Sequence, residues 1–176
     1  MTDALTVRVR LAIREARDFP TPGIVFKDIT PVLADAELLG EVLRTMAAPF
    51  AGLGITHVVA IESRGFLFAT PIAQSLGAAL TLARKPGKLP WKSVREAFAL
   101  EYGNDSLEMH IDALSEGSRV LIVDDVLATG GTAAAAVRLV QGLGGTVSGV
   151  SVLGEIAFLR GRELLADVNV QAIVRY

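Results

Sequence analysis

The chain has 176 residues, 51% of them apolar and 20% charged, with a formal net charge of −2. That is one domain with material for a substantial core, and the slightly acidic balance gives no electrostatic reason to expect nucleic acid as a partner. The absence of cysteine excludes disulfides, thiolate nucleophiles and cysteine-ligated metal.

The opening "MTDALTVRVRLAIREARDF" has arginines wherever a signal peptide would need apolar residues, and no 18-residue apolar run follows, so a soluble cytoplasmic protein without membrane contact is expected. Leu5, Val9, Ala12, Ile13 and Ala16 share one helical face, as do Leu38, Leu39, Val42, Leu43, Met46 and Phe50 in a second helix that Asp35 can cap. Between them "PTPGIVFKDITP" is a proline-bounded excursion. "THVVAIE" (56–62) reads as a buried strand, then come a helix from Gly65 to Leu76 and a strand "ALTLAR" (79–84). "REAFALEY" and "LEMHID" form a paired ribbon around "GNDS". A strand at 119–124, a helix with a stripe at Val137, Leu139, Val140 and Leu143, and strands at 146–153 and 170–175 complete the chain. The alternation predicts an α/β fold: a mostly parallel sheet flanked by helices, with a small amino-terminal hood.

The chemistry concentrates in "VLIVDDVLATGGT" (120–132). An apolar run fits a strand covered on both faces, which puts Asp124 and Asp125 at its carboxyl end, where open α/β sheets bind ligands. Gly130 and Gly131 clear the way to a helix start whose free N–H groups bind phosphate without a lysine, and Thr129 and Thr132 add hydroxyls. The two acids can accept from sugar hydroxyls or hold a divalent cation. Phosphate, diol and metal together describe a ribose phosphate. No Lys follows Gly131 as in a Walker loop, and the glycine spacing is not that of a dinucleotide fold. A plain tight turn would need neither the acids nor the threonines.

A second strand end, "ESRG", offers Ser63, Arg64 and Gly65 at a helix start, suited to a diphosphate. It lacks the nucleophile-elbow pattern, so Ser63 is no hydrolase serine. The loop "ARKPGKLPWKSVR" carries five cations and no acid. Taken alone it is a solvated face or a weak nucleic-acid attractant; as a proline-broken loop it can fold over a polyanion, with Arg84, Lys85 and Lys88 as the contacts and Lys92 and Arg95 bland. His57 and His110 are too few for a metal cluster.

"VLIVDDVLATGGT" resembles the phosphoribosyl diphosphate (PRPP) motif of the type I phosphoribosyltransferases. "DFPTPGIVFKDITPVL" (18–33), "ESRGFLFATPIAQSLG" (62–77), "RKPGKLP" (84–90), "LEYGNDSLEMHIDAL" (100–114) and "LRGRELLA" (159–166) resemble the adenine-specific branch of that family. The resemblance runs from about residue 18 onward. It implies a single phosphoribosyltransferase domain over 1–176, with a hood at about 18–34 and a flexible ribbon loop at about 84–110, that converts adenine and PRPP to AMP and pyrophosphate with Mg²⁺, as a homodimer.

By that resemblance Ala128, Thr129, Gly130, Gly131 and Thr132 take the 5-phosphate, and Asp124 and Asp125 the ribose and through it Mg²⁺. Ser63, Arg64, Gly65, Arg84, Lys85 and Lys88 take the pyrophosphate. Val25, Phe26 and Lys27 take adenine, Glu101 handles the purine proton and Tyr102 covers the reacting centre. Lys27 departs from the Arg common in the family; it keeps the charge without the planar fork. A guanine or xanthine transferase, and a PRPP-sensing regulator that binds DNA, are the rival readings.

Overall fold

The structure, a computed structural model, describes residues 4–99 and 104–176. Helix α1 (Ala4–Ala12) buries Leu5 and Val9, and Ile13 just beyond it is buried too. The helical face does not continue to Ala16. Arg14–Arg17 is strand β1, antiparallel to β2 (Val25–Asp28), with Arg14 opposite Asp28 and Glu15 opposite Lys27. "REAR" has no apolar stripe for a helix to bury, whereas as a strand its charges meet opposite charges across the ribbon. The two-stranded hood therefore begins ahead of the expected residues 18–34.

Helix α2 (Thr30–Ala34) lies inside what reads from sequence as an irregular excursion. Pro31 falls in its first turn, where no intrahelical hydrogen bond is lost. Helix α3 (Ala36–Ala47) is capped as expected by Asp35, whose carboxylate accepts from the N–H groups of Glu37 and Leu38. Phe50 is fully buried but sits in a 3-10 turn, Ala48–Phe50, after the helix.

The remaining elements are β3 (His57–Ile61), α4 (Gly65–Leu76), β4 (Ala79–Ala83), β5 (Ser93–Ala99), β6 (Asn104–His110), β7 (Arg119–Leu127), α5 (Gly131–Gly142), β8 (Thr146–Glu155) and β9 (Val170–Arg175). β5 and β6 pair antiparallel as a ribbon, as expected, but not around "GNDS": Asn104, Asp105 and Ser106 belong to β6, opposite Ala99, Phe98 and Ala97, because the pairing runs further toward the connection than the apolar pattern does. The other five strands form one sheet in the order β4-β3-β7-β8-β9, and every pairing in it is parallel. Val120 to Val123 are all fully buried. Leu121 and Val123 pack with α1, α3 and α4, while Val120 and Ile122 pack with α5 and the ribbon. Period-two alternation thus serves two cores at once.

From the β3/β7 boundary the chain leaves in opposite directions: β3 crosses through α4 to β4, and β7 crosses through α5 to β8, so the two helices cover opposite faces. Such a divergence opens a crevice beyond the carboxyl ends of the strands. β7 also runs further than expected. Its pairing with β3 stops at Val123, but its pairing with β8 continues to Leu127. Asp124 and Asp125 are therefore not at the end of a strand; they sit where β7 has outrun β3 and one backbone edge faces the crevice.

Candidate active site

A cleft of about 580 Å³ occupies this crevice. It gathers six of the residues singled out from sequence, Ser63, Arg64, Lys85, Asp124, Asp125 and Thr132, and adds Glu62, Phe98, Asp105, Leu107 and Val126. Five chain segments meet there: the β3–α4 turn, Lys85, β5, β6, and β7 with the start of α5.

At its floor the N–H of Asp125 donates to Oδ1 of Asp124 at 2.8 Å. Burial, together with the neighbouring Asp125 charge, pushes the Asp124 carboxyl well above the usual carboxylate range. Asp125 is 4% exposed. Its Oδ2 lies 2.5 Å from Nε of Arg64, a charge contact not aligned as a hydrogen bond, so that buried oxygen has no hydrogen-bond partner. A carboxylate oxygen left that way is ready for a ligand hydroxyl or a cation. Among the described residues no group of three His, Asp or Glu side chains could hold a metal by itself.

One wall is the turn between β3 and α4. A Cβ at Gly65 would stand 2.8 Å from the carbonyl oxygen of Val123 and 3.1 Å from Oδ1 of Asp124. Only glycine lets α4 start this close to the acids; within its first turn the N–H groups of Phe66 and Leu67 already donate to the carbonyl oxygens of Ser63 and Arg64, so Ser63 and Arg64 are what this turn presents to the cleft. The Arg64 guanidinium reaches Asp125 on one side and stacks 4.7 Å from the Phe26 ring on the other, joining hood to floor.

On the opposite side β7 passes through Ala128, Thr129 and Gly130 into α5. Gly130 has φ +85°, and no side chain caps the helix that follows, so its first N–H groups stay free for a ligand. The loop is backed by Gly161, where a Cβ would lie 2.3 Å from the carbonyl oxygen of Ala128; a Cβ at Gly130 would meet the carbonyl oxygen of Gly161 at 2.3 Å. Gly161 escaped the sequence reading as a site residue. "LRGRELLA" was legible as a resemblance, but nothing local ties residue 161 to a loop thirty positions away.

The basic loop is less free than its sequence suggests. Arg84 donates through Nε to Oε2 of Glu62 at 3.1 Å, and through Nη1 to the carbonyl oxygen of Lys88 at 2.9 Å. Burial would raise Glu62, but the Lys85 N–H and the Arg84 guanidinium outweigh it and hold the carboxyl below its usual range. Arg84 is thus committed to the strand-end acid. Lys85 lines the cleft with its ammonium on Asp105 at 2.9 Å, and Lys88 is exposed beside the cleft without lining it. Asp105 is held below its usual range, first by the hydrogen bond from Lys85.

In the hood, Phe26 meets Phe19 edge-on at 5.2 Å and Val25 is exposed. The Lys27 ammonium turns away from the cleft to pair with Glu15 and to lie 4.0 Å over the ring of Tyr176. Its side chain is committed to those two partners. Glu101 and Tyr102 lie outside the described residues.

The phosphoribosyl transferase domain family matches residues 32–157. The chain is 56% identical over 168 residues to the adenine phosphoribosyltransferase of Anaeromyxobacter sp. (strain Fw109-5), covering 96% of this chain and 95% of that one. Among solved structures, the adenine phosphoribosyltransferase of Rhodothermus marinus superposes with a TM-score of 0.94 at 48% identity, covering 98% of each chain. That of Saccharomyces cerevisiae, complexed with an imino-altritol bisphosphate and adenine, gives 0.90 at 34% identity, covering 97% of this chain and 98% of that one.

Proposed function

This chain belongs to the adenine phosphoribosyltransferases of the phosphoribosyl transferase domain family, and from that premise we propose that it transfers ribose 5-phosphate from PRPP to adenine, releasing AMP and pyrophosphate. The observation that carries the reading is the buried acid pair of β7 lying between two helix starts, each reached through a glycine turn. Few ligands need two anion sites with a diol acceptor between them; a ribose with a phosphate at one end and a diphosphate at the other does.

In the reaction the bond from the anomeric carbon to the diphosphate oxygen breaks, the bond to a purine nitrogen forms, and that nitrogen loses its proton. Positive charge builds on the sugar and negative charge on the leaving group. Ala128 to Thr132 hold the 5-phosphate with backbone N–H and threonine hydroxyls. Asp124 and Asp125 hold the ribose hydroxyls beneath the developing positive charge. Ser63, Arg64, Gly65 and Lys85 receive the diphosphate, with Arg84 and Lys88 behind them. For Arg64 this means exchanging Asp125 for the incoming anion. Phe26, Val25 and the backbone of Lys27 hold the base, and Glu101 and Tyr102 take the proton and cover the centre.

Mg²⁺ fits this site in a limited sense. The unpartnered Oδ2 of Asp125, with Asp124 beside it, supplies two carboxylates and no third, so these residues would hold a cation whose other ligands are substrate oxygens. The ion would neutralise charge on the diphosphate. No helix among the described residues is long and apolar enough to cross a membrane. A cytoplasmic homodimer is the setting this reading carries.

The test is pyrophosphate release from PRPP and Mg²⁺ with adenine, hypoxanthine, guanine and xanthine in parallel. Release with adenine alone is expected. Release with another base would keep the phosphate sites and overturn the base pocket, and none with any base would overturn the reaction.

A further inference from the structure

The hood is a two-stranded ribbon four residues long on each side, too small to hold its own shape in water. Something must fix it to the body. Successive side chains of β2 point to opposite faces, so Phe26 and Lys27 face different ways. Phe26 meets Arg64 at the cleft. Lys27 meets Tyr176, just past β9, with its ammonium 4.0 Å from the ring centroid. The Lys27 side chain is 11% exposed, and its second partner, Glu15, belongs to the hood itself, so Tyr176 is its link to the body.

Tyr176 is itself well fixed. Its N–H donates to the carbonyl oxygen of Glu155 at 2.9 Å, and its own carbonyl accepts from Ala157 N–H at 2.9 Å. Arg10 of α1 lies 5.2 Å from the ring as a second cation. The phenol oxygen is buried without a hydrogen-bond partner, and burial raises its pKa, so the hydroxyl is neutral and makes no polar contact. What Tyr176 offers the hood is the face of its ring.

We infer that Tyr176 is a positioning residue for base recognition: its ring holds the Lys27 ammonium, and this contact sets the height and register at which Phe26 and the backbone of residue 27 meet the purine. The inference rests on the reading of Val25 to Lys27 as the base pocket. It also explains why Lys serves at position 27, since a point cation over an aromatic face does not need the planar fork of Arg.

Steady-state kinetics with adenine and PRPP varied separately test this on wild type, Y176F, Y176L, K27M and F26A, with melting temperatures alongside. Y176F keeps the ring and is expected to match wild type. Y176L keeps apolar bulk without a π face, and K27M keeps length without charge; each is expected to raise KM for adenine about fivefold, with kcat and KM for PRPP within about twofold. F26A tests the pocket itself. If F26A raises KM for adenine and Y176L and K27M do not, the inference fails and the pocket stands. If F26A leaves it unchanged, the pocket reading fails and the inference with it. Equal losses toward both substrates in Y176L and K27M would mean general loosening and overturn the positioning role. Should Y176L not fold, K27M decides.

Discussion

Asp124 and Asp125 work against each other in the free protein. Burial and the adjacent charge raise Asp124, so the folded chain holds that proton more tightly than the unfolded chain. Its contribution to stability is therefore fully present below the ordinary carboxylate range and is lost as pH rises through the raised value, so at pH 7 this acid costs folding free energy. Asp124→Asn keeps an oxygen for the Asp125 N–H and removes the charge. It is expected to raise the melting temperature at pH 7 by about 2–4 °C for each kcal/mol relieved, while turnover falls about 10²-fold. Adding Asp125→Asn should deepen the loss of turnover with the fold intact. Thermal melts and pyrophosphate release measure both; a D124N protein that melts lower or turns over normally would refute the functional strain. The acids were legible because carboxylates interrupt an oily run. The commitments of Arg84 to Glu62 and of Lys27 to Tyr176 were not, because each is made with a residue distant in sequence.

Among the elements, those with a strong local signal came out as read. α4 begins and ends at the expected Gly65 and Leu76, where Gly77 closes the helix with φ +64°. Ala16 falls on the helical period of α1, and only pairing with β2 makes Arg14–Arg17 a strand. By its continuous apolar run β7 ends near Val123, where the two acids interrupt it, whereas its length is set by hydrogen bonds to β8. The turn at Gly161–Leu165 gave no local signal, yet it backs the loop between β7 and α5 through contact of Gly161 with Ala128 and Gly130. Gly161→Ala would drive a methyl within 2.3 Å of the Ala128 carbonyl oxygen, so the loop must move. The expected result is a KM for PRPP raised about tenfold, KM for adenine near wild type, and a stability loss of about 1–2 kcal/mol. A PRPP titration of G161A checks this; unchanged KM for PRPP would separate that turn from the proposed phosphate site.

At the scale of the molecule, alternating strands and helices made a parallel sheet legible, but strand order was not. The β3/β7 neighbourhood that creates the cleft is a pairing between distant segments, and no sequence period records it. The far edge depends equally on distant partners. Glu155, at the end of β8, is 3% exposed and accepts from Arg162 Nε at 2.9 and 2.8 Å, with Arg175 Nε 3.0 Å away, tying β9 and the Gly161–Leu165 turn to the sheet. Burial would raise this carboxyl, but the two guanidinium groups outweigh it and hold it below the usual range. For a depressed acid the stabilisation is present above the unfolded value and is lost as pH falls through the folded one. Glu155→Gln should therefore destabilise the protein by about 2 kcal/mol at pH 7, a lowering of several degrees. The gap should narrow as pH falls below about 4, because wild type then loses the same charge by protonation. Glu62 and Glu108 are depressed in both proteins, so wild type and variant should each lose stability in acid, with wild type losing more. Thermal melts of the pair from pH 7 to pH 3.5 measure it. A gap that stays constant would mean that Glu155 ties the edge by shape and not by charge.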